Sequence, residues 1–173
     1  MIIRSEEIYK KANSIVKSCG TRDTLKIARE LGIHLHFLDN LNDLLGMYTY
    51  RHKERHILLN SNMEYLIMQM VCGHEIGHDT FHRDLAKGNE PLPEFVLFDM
   101  RTKHEYEANA FASHLIIINR LIKRGESEDC WAAQHIDICL KAFESYISKE
   151  KIDTEFRNVD EIAAEIIEKS NII

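Results

Sequence analysis

SNMEYLIMQMVCGHEIGHDTFH, residues 61–82, decides how the rest of the chain is read. Met63, Ile67, Met70 and Val71 recur at three- and four-residue steps and lead on to His74 and His78. That period predicts a helix from about Asn62 to His82, opened by a capping box of Ser61 and Glu64. Side chains at i and i+4 lie one turn apart on the same face, so the two imidazoles continue the inward stripe and point the same way. Small Gly77 between them leaves room for another element to come close.

Outward from this helix the pattern changes twice. Towards the N-terminus, Ile8, Ala12, Ile15, Val16 and Cys19 predict an amphipathic helix from Ser5 to about Cys19, stopped by Gly20. Thr21 then opens a second helix with Leu25, Ala28 and Leu31 on one face, closed by Gly32. Between this pair and the histidine helix, residues 33–38 (IHLHFL), 44–50 (LLGMYTY) and 55–60 (RHILLN) have strand character. They predict a small sheet of about three strands, antiparallel, with turns at Asp39 to Asp43 and Arg51 to Glu54. KGNEPLP, residues 87–93, holds both prolines and reads as a loop, followed by a helix from about Thr102 to Lys123. Two further helical patterns cover roughly Glu128 to Lys149 and Val159 to Lys169. The fold class expected is α+β, mainly helical.

Composition narrows the function classes. The 173 residues carry 22 Lys plus Arg against 28 Asp plus Glu, a net charge of −6 with no basic block, which argues against direct nucleic-acid binding. No run approaches the roughly 18 apolar residues of a membrane span. Cys19, Cys72, Cys130 and Cys139 form no Cys-x-x-Cys pair, and MIIRSEEIYKK lacks a signal-peptide core, so reduced thiols in the cytoplasm are expected.

Two imidazoles at this spacing can hold one Zn2+ per chain with Zn–N distances of about 2.0–2.1 Å. Glu75 lies about 100° further round the helix, where it can reach a water in an open coordination position, as a general base does. Ten histidines make a chance match uncommon rather than negligible, so a third ligand is the next requirement. EYEANAFASHL, residues 105–115, supplies two candidates. Glu107 falls on the stripe Phe111, Leu115, Ile118 and Ile122, where a carboxylate is costly unless paired or bound to metal. It is taken as the third ligand. Glu105, on the line of Asn109 and Ile116, is kept as a supporting partner or competing ligand. His82 stands four residues after His78, where the long zinc-protease motif would require six, and is read as a charged helix end rather than a ligand.

HEIGH followed by Glu-Ala-Asn-x-Phe-Ala resembles the ImmA/IrrE zinc metallopeptidases. The resemblance covers about residues 1–122 and implies a zincin-like core at 1–124 with a C-terminal helical extension, 125–173, packed on it. It implies His74, His78 and Glu107 as metal ligands and Glu75 as the catalytic glutamate. It further implies a cytoplasmic endopeptidase whose substrate is a helix-turn-helix repressor of a phage or mobile element. Against that stands a non-hydrolytic binding module on the same scaffold, which would have no need of Glu75. Unlike many members, the chain continues past this motif as LIIINRLIKRG without proline. Tyr48, Tyr50 and His104 are open choices for an oxyanion donor, and Gly46 to Tyr50 is a candidate exposed edge for an extended peptide. Trp131, Ile138, Leu140, Phe143 and Ile147 read as core contacts of the extension.

Overall fold

The computed structural model describes residues 5–88, 92–94 and 102–117. The expected C-terminal helices, the 124/125 division and the core contacts of the extension lie outside these residues. Helices α1 (Ser5–Cys19) and α2 (Thr24–Glu30) form the expected hairpin. Gly20 turns out of α1 at φ 67° and Gly32 out of the turn after α2 at φ 73°, values that a side chain would strain. Asp23, rather than Thr21, caps α2: its carboxylate accepts from the Lys26 amide at 3.1 Å.

Strands β1 (His34–Leu38), β2 (Gly46–Arg51), β3 (Glu54–Asn60) and β4 (Leu92–Glu94) make one sheet in the order β1-β3-β2-β4. β2 and β3 form the expected antiparallel hairpin, turned by His52 and Lys53 at φ 53° and 69°. Two details differ from the sequence reading. β1 runs parallel to β3, because the chain from 39 to 45 carries β2 past β3 instead of folding back on β1. The proline-containing stretch also contributes a strand: Leu92–Glu94 pairs with Gly46–Tyr48, and Pro93 is accommodated because β4 is the sheet's edge. The expectation that Gly46–Tyr50 offers an exposed edge is therefore overturned at Gly46, Met47 and Tyr48.

Helix α3 (Tyr65–Phe81) crosses the molecule between the sheet and α5 (Lys103–Ile117), with the short α4 (Arg83–Lys87) following it. Its start is three residues later than the capping box predicts. Asn60 draws the Asn62 amide onto its side-chain oxygen at 3.0 Å, the chain turns there, and Glu64 caps without a side-chain bond. Every residue from Gln69 to Asp79 is buried. On one side α3 meets Ile57 and Leu59 of the sheet, and on the other Phe111 and Leu115 of α5 within the same core. Gln69 ties it to α2, accepting from the Thr24 amide at 2.7 Å. Among the described residues no helix is long and apolar enough to cross a membrane.

Candidate metal centre

The site begins with how closely α3 and α5 approach. A Cβ on Gly77 would lie 2.9 Å from Ala108 Cα and 3.1 Å from its carbonyl oxygen, and one on Gly73 would lie 3.3 Å from Ala112 Cβ. Two glycines one turn apart thus seat two alanines one turn apart. This packing turns the face of α5 that holds Glu105, Ala108, Asn109 and Ala112 towards the histidines. His74 and His78 are both 2% exposed, and their Nε2 atoms stand 2.9 Å apart. Glu105 Oε2 completes the group at 3.1 Å from His74 Nε2 and 3.6 Å from His78 Nε2. Three potential ligand atoms within 4.8 Å of one another are brought together here.

The other ring nitrogens fix the proton positions. His74 Nδ1 donates to Asn109 Oδ1 at 2.8 Å, which leaves Nε2 bare. His78 Nδ1 meets His82 Nδ1 at 3.0 Å, and His82 Nε2 donates to Glu107 Oε2 at 3.0 Å. Burial pushes the His78 imidazole down to about 4 against the opposing pull of Glu105. Burial raises the Glu105 carboxyl, but the imidazoles of His74 and His78 facing it outweigh burial and hold the group well below the usual carboxylate range. His82 ends α3 as expected, but it is 4% exposed and burial lowers its pKa despite Glu107, so it is neutral rather than a charged helix end.

Glu107 is buried, as its stripe predicts, yet its carboxylate faces His82 and, at 3.5 Å, Lys103 Nζ. The described contacts bring Glu105, not Glu107, to the two Nε2 atoms. Glu75 is fully buried on the sheet side of α3, where a Cβ on Gly46 would come within 3.0 Å of its Oε1. The first residue of β2 has to be glycine for the strand to pass α3 here, since a Cβ would meet Val71 Cγ1 first and the Glu75 carboxylate next. Asn109, which the sequence reading placed on the line of Glu105 and within the Glu-Ala-Asn-x-Phe-Ala motif without assigning it a role, is the partner of His74. Sequence reasoning missed Asp79, which accepts from Tyr48 Oη at 2.8 Å, Arg83 Nη2 at 2.9 Å and Arg55 Nη1 at 3.2 Å. That carboxylate pins α3 to β2, β3 and α4 and engages the Tyr48 hydroxyl, which removes Tyr48 from the oxyanion candidates. The Tyr50 ring lies under Lys87 Nζ at 5.9 Å, and His104 packs edge-on against His82 at 4.8 Å.

Comparison with known proteins adds an independent line. Residues 28–130 match the family model Peptidase_M78, described as an IrrE N-terminal-like domain. The chain is 30% identical over 104 residues to "Uncharacterized immunity region protein 2" of Bacillus phage phi105, across 60% of this chain and 63% of that protein. It is 27% identical over 121 residues to "Metallopeptidase ImmA" of Bacillus subtilis (strain 168), across 70% of this chain and 69% of that protein. The matched segments thus span about two thirds of these relatives' length. No solved structure matches the chain.

Proposed function

The chain belongs to the Peptidase_M78 family of IrrE N-terminal-like domains, and from that premise we propose that it is a zinc-dependent endopeptidase with His74, His78 and Glu105 as the metal's protein ligands. One observation carries the reading, the convergence of the two Nε2 atoms and Glu105 Oε2. Ligand atoms bound tetrahedrally at about 2.0–2.1 Å lie about 3.3 Å from one another. The separations here, 2.9, 3.1 and 3.6 Å, bracket that value. With each Nδ1 proton held by an acceptor, Asn109 Oδ1 for His74 and His82 Nδ1 for His78, two bare imidazole lone pairs and a carboxylate face the same small space, a donor set that calls for a divalent cation. The same geometry favours Glu105 over Glu107 as the third ligand.

His74, His78 and Glu105 would hold a divalent ion whose chemistry would be to acidify a water and polarise the scissile carbonyl. Glu75, next to His74 on the helix, takes a proton from the attacking water and delivers it to the nitrogen of the departing amine, so that one water is consumed for each peptide bond cut. Two imidazoles and one carboxylate also suit non-haem iron; the glutamate beside the first histidine, the base that hydrolysis requires, favours zinc.

The substrate we propose is a protein, a helix-turn-helix repressor of a phage or mobile element, met in the cytoplasm. The name of the phage relative, an immunity region protein, supports this, as does the family resemblance of HEIGH with EANAFA. The test is incubation of the zinc-loaded chain, and of Glu75→Gln, with repressors encoded near its gene, read by mass spectrometry. Cleavage by the wild type at a defined bond and none by Glu75→Gln is the expected result. Equal cleavage by both proteins would sink the role of Glu75. Binding of a repressor by both proteins without cleavage would favour the binding module instead.

A further inference from the structure

Behind His78 lies a buried polar chain that hydrolysis does not explain: His82 is 4% exposed, Glu107 is 2% exposed, and both sit inside the protein at the meeting of α3 and α5. We infer that His82 and Glu107 form a relay that positions the metal ligand His78, with Glu107 as the relay's carboxylate and not a ligand itself. The inference rests on the proposed metal site and specifies its supporting residues.

Only one arrangement of protons satisfies all three groups. A ligating Nε2 must be bare, so His78 carries its proton on Nδ1 and donates it to His82 Nδ1, 3.0 Å away. His82 Nδ1 must then be bare, which puts the His82 proton on Nε2, where it is donated to Glu107 Oε2 at 3.0 Å. Lys103 Nζ, 3.5 Å from Glu107 Oε1, supplies a counter-charge at the far end. Each donor has an acceptor, and the negative charge of Glu107 is transmitted through one imidazole to the next. His74 is backed differently, by the neutral carbonyl of Asn109 at 2.8 Å. The two imidazole ligands are therefore unequal, His78 being the one whose basicity an anion raises. Partners of this kind are worth about 10–100-fold in metal affinity.

This placement also explains why two glutamates occur two residues apart at the start of α5. About 200° separates them around a helix, so Glu105 can face the Nε2 atoms while Glu107 faces the back of the same cluster. His82 reaches the cluster because α3 runs one turn past His78, its amide still donating to the His78 carbonyl at 2.8 Å.

The experiment is a zinc titration against a chromophoric chelator, with the absorption spectrum of the cobalt-loaded protein as a second readout. It compares the wild type with Glu105→Ala, Glu107→Gln, His82→Leu and the double variant His82→Asn/Glu107→Gln. Affinity should fall about 10–100-fold in Glu107→Gln and His82→Leu, with one ion per chain and the cobalt spectrum retained because no ligand has changed. Asn in place of His82 offers a carbonyl oxygen to His78 Nδ1, so the double variant should bind more tightly than His82→Leu. Wild-type affinity in both Glu107→Gln and His82→Leu would overturn the relay, as would loss of the ion and of the cobalt spectrum in Glu107→Gln, which would make Glu107 a ligand. A wild type that binds no divalent metal, or Glu105→Ala binding as tightly as wild type, would mark failure of the underlying metal site instead. Nitrogen-15 spectra of the zinc-loaded wild type test the same point without any substitution: protons on His78 Nδ1 and His82 Nε2 are expected, and a proton on His82 Nδ1 would overturn the relay.

Discussion

Gly77→Ala sets two effects of opposite sign against each other. In an unencumbered helix the change should stabilise by about 0.8–1 kcal/mol, the propensity gap between glycine and alanine. Here the new Cβ would stand 2.9 Å from Ala108 Cα, 3.1 Å from its oxygen and 3.3 Å from its Cβ. The first two are backbone atoms, which cannot swing aside, so α5 has to retreat by roughly 0.5–1 Å to restore ordinary contact. Overpacking of this kind costs about 1–3 kcal/mol, so the steric cost should offset the propensity gain and leave a net loss of about 0–2 kcal/mol. The retreat carries Glu105 away from imidazoles it now meets at 3.1 and 3.6 Å, and metal affinity should fall at least tenfold. Urea unfolding of the metal-free protein reads the first effect and zinc titration the second. Gly73→Ala is the milder comparison, because its nearest contacts, Thr24 Cγ2 at 3.2 Å, Ala112 Cβ at 3.3 Å and Ala112 Cα at 3.4 Å, all lie further off than the 2.9 Å approach at Gly77. A Gly77→Ala protein that is more stable than wild type and binds zinc as tightly would refute the close approach of α3 and α5.

Three further outcomes are expected. In Gly46→Ala the Cβ would fall 2.4 Å from Val71 Cγ1 and 3.0 Å from Glu75 Oε1, so peptide cleavage should drop at least tenfold while zinc is retained; unchanged cleavage would count against β2 positioning Glu75. Asp79→Ala leaves Arg55, Arg83 and Tyr48 without their shared acceptor, and because both arginines are partly open to water the loss of stability by urea titration should be about 2–3 kcal/mol rather than the larger cost of a fully buried pair. Burial, with Arg22 adding, pushes the His114 imidazole from 6.5 down to about 3; the unfolded chain takes up that proton first, so this contribution is complete above about pH 6.5 and is lost as pH falls towards 3. Wild type should therefore lose about 2 kcal/mol relative to His114→Leu between pH 7.5 and pH 5, and a constant difference would contradict the neutral buried ring.

Much of this molecule is legible in its sequence where one face of an element is buried and the other is wet. The α1 stripe, the β2–β3 hairpin and the inward pair His74 and His78 all follow from period alone. The choice between Glu105 and Glu107 does not, because α5 is buried on every side from Glu107 to Ile116. A stripe rule identifies the inner face only when an outer face exists. The informative signal was the small-residue register, Gly73 and Gly77 against Ala108 and Ala112, which puts Glu105 on the contact line three residues before Ala108. The parallel pairing of β1 was unreadable for another reason: alternation says which residues face the core and nothing about strand direction. β4 was hidden by Pro93, which a central strand would exclude but an edge tolerates. Asp79 gave one local sign, Arg83 four residues on, but its burial against Tyr48 and Arg55 was unreadable because they lie on strands more than twenty residues away.

The most direct test of the central claim is zinc content per chain by elemental analysis, after equilibrium dialysis of wild type and Glu105→Ala in parallel. The account predicts one zinc per wild-type chain and a marked loss in Glu105→Ala. A wild type that takes up no zinc, or a Glu105→Ala protein that holds as much as wild type, would contradict it.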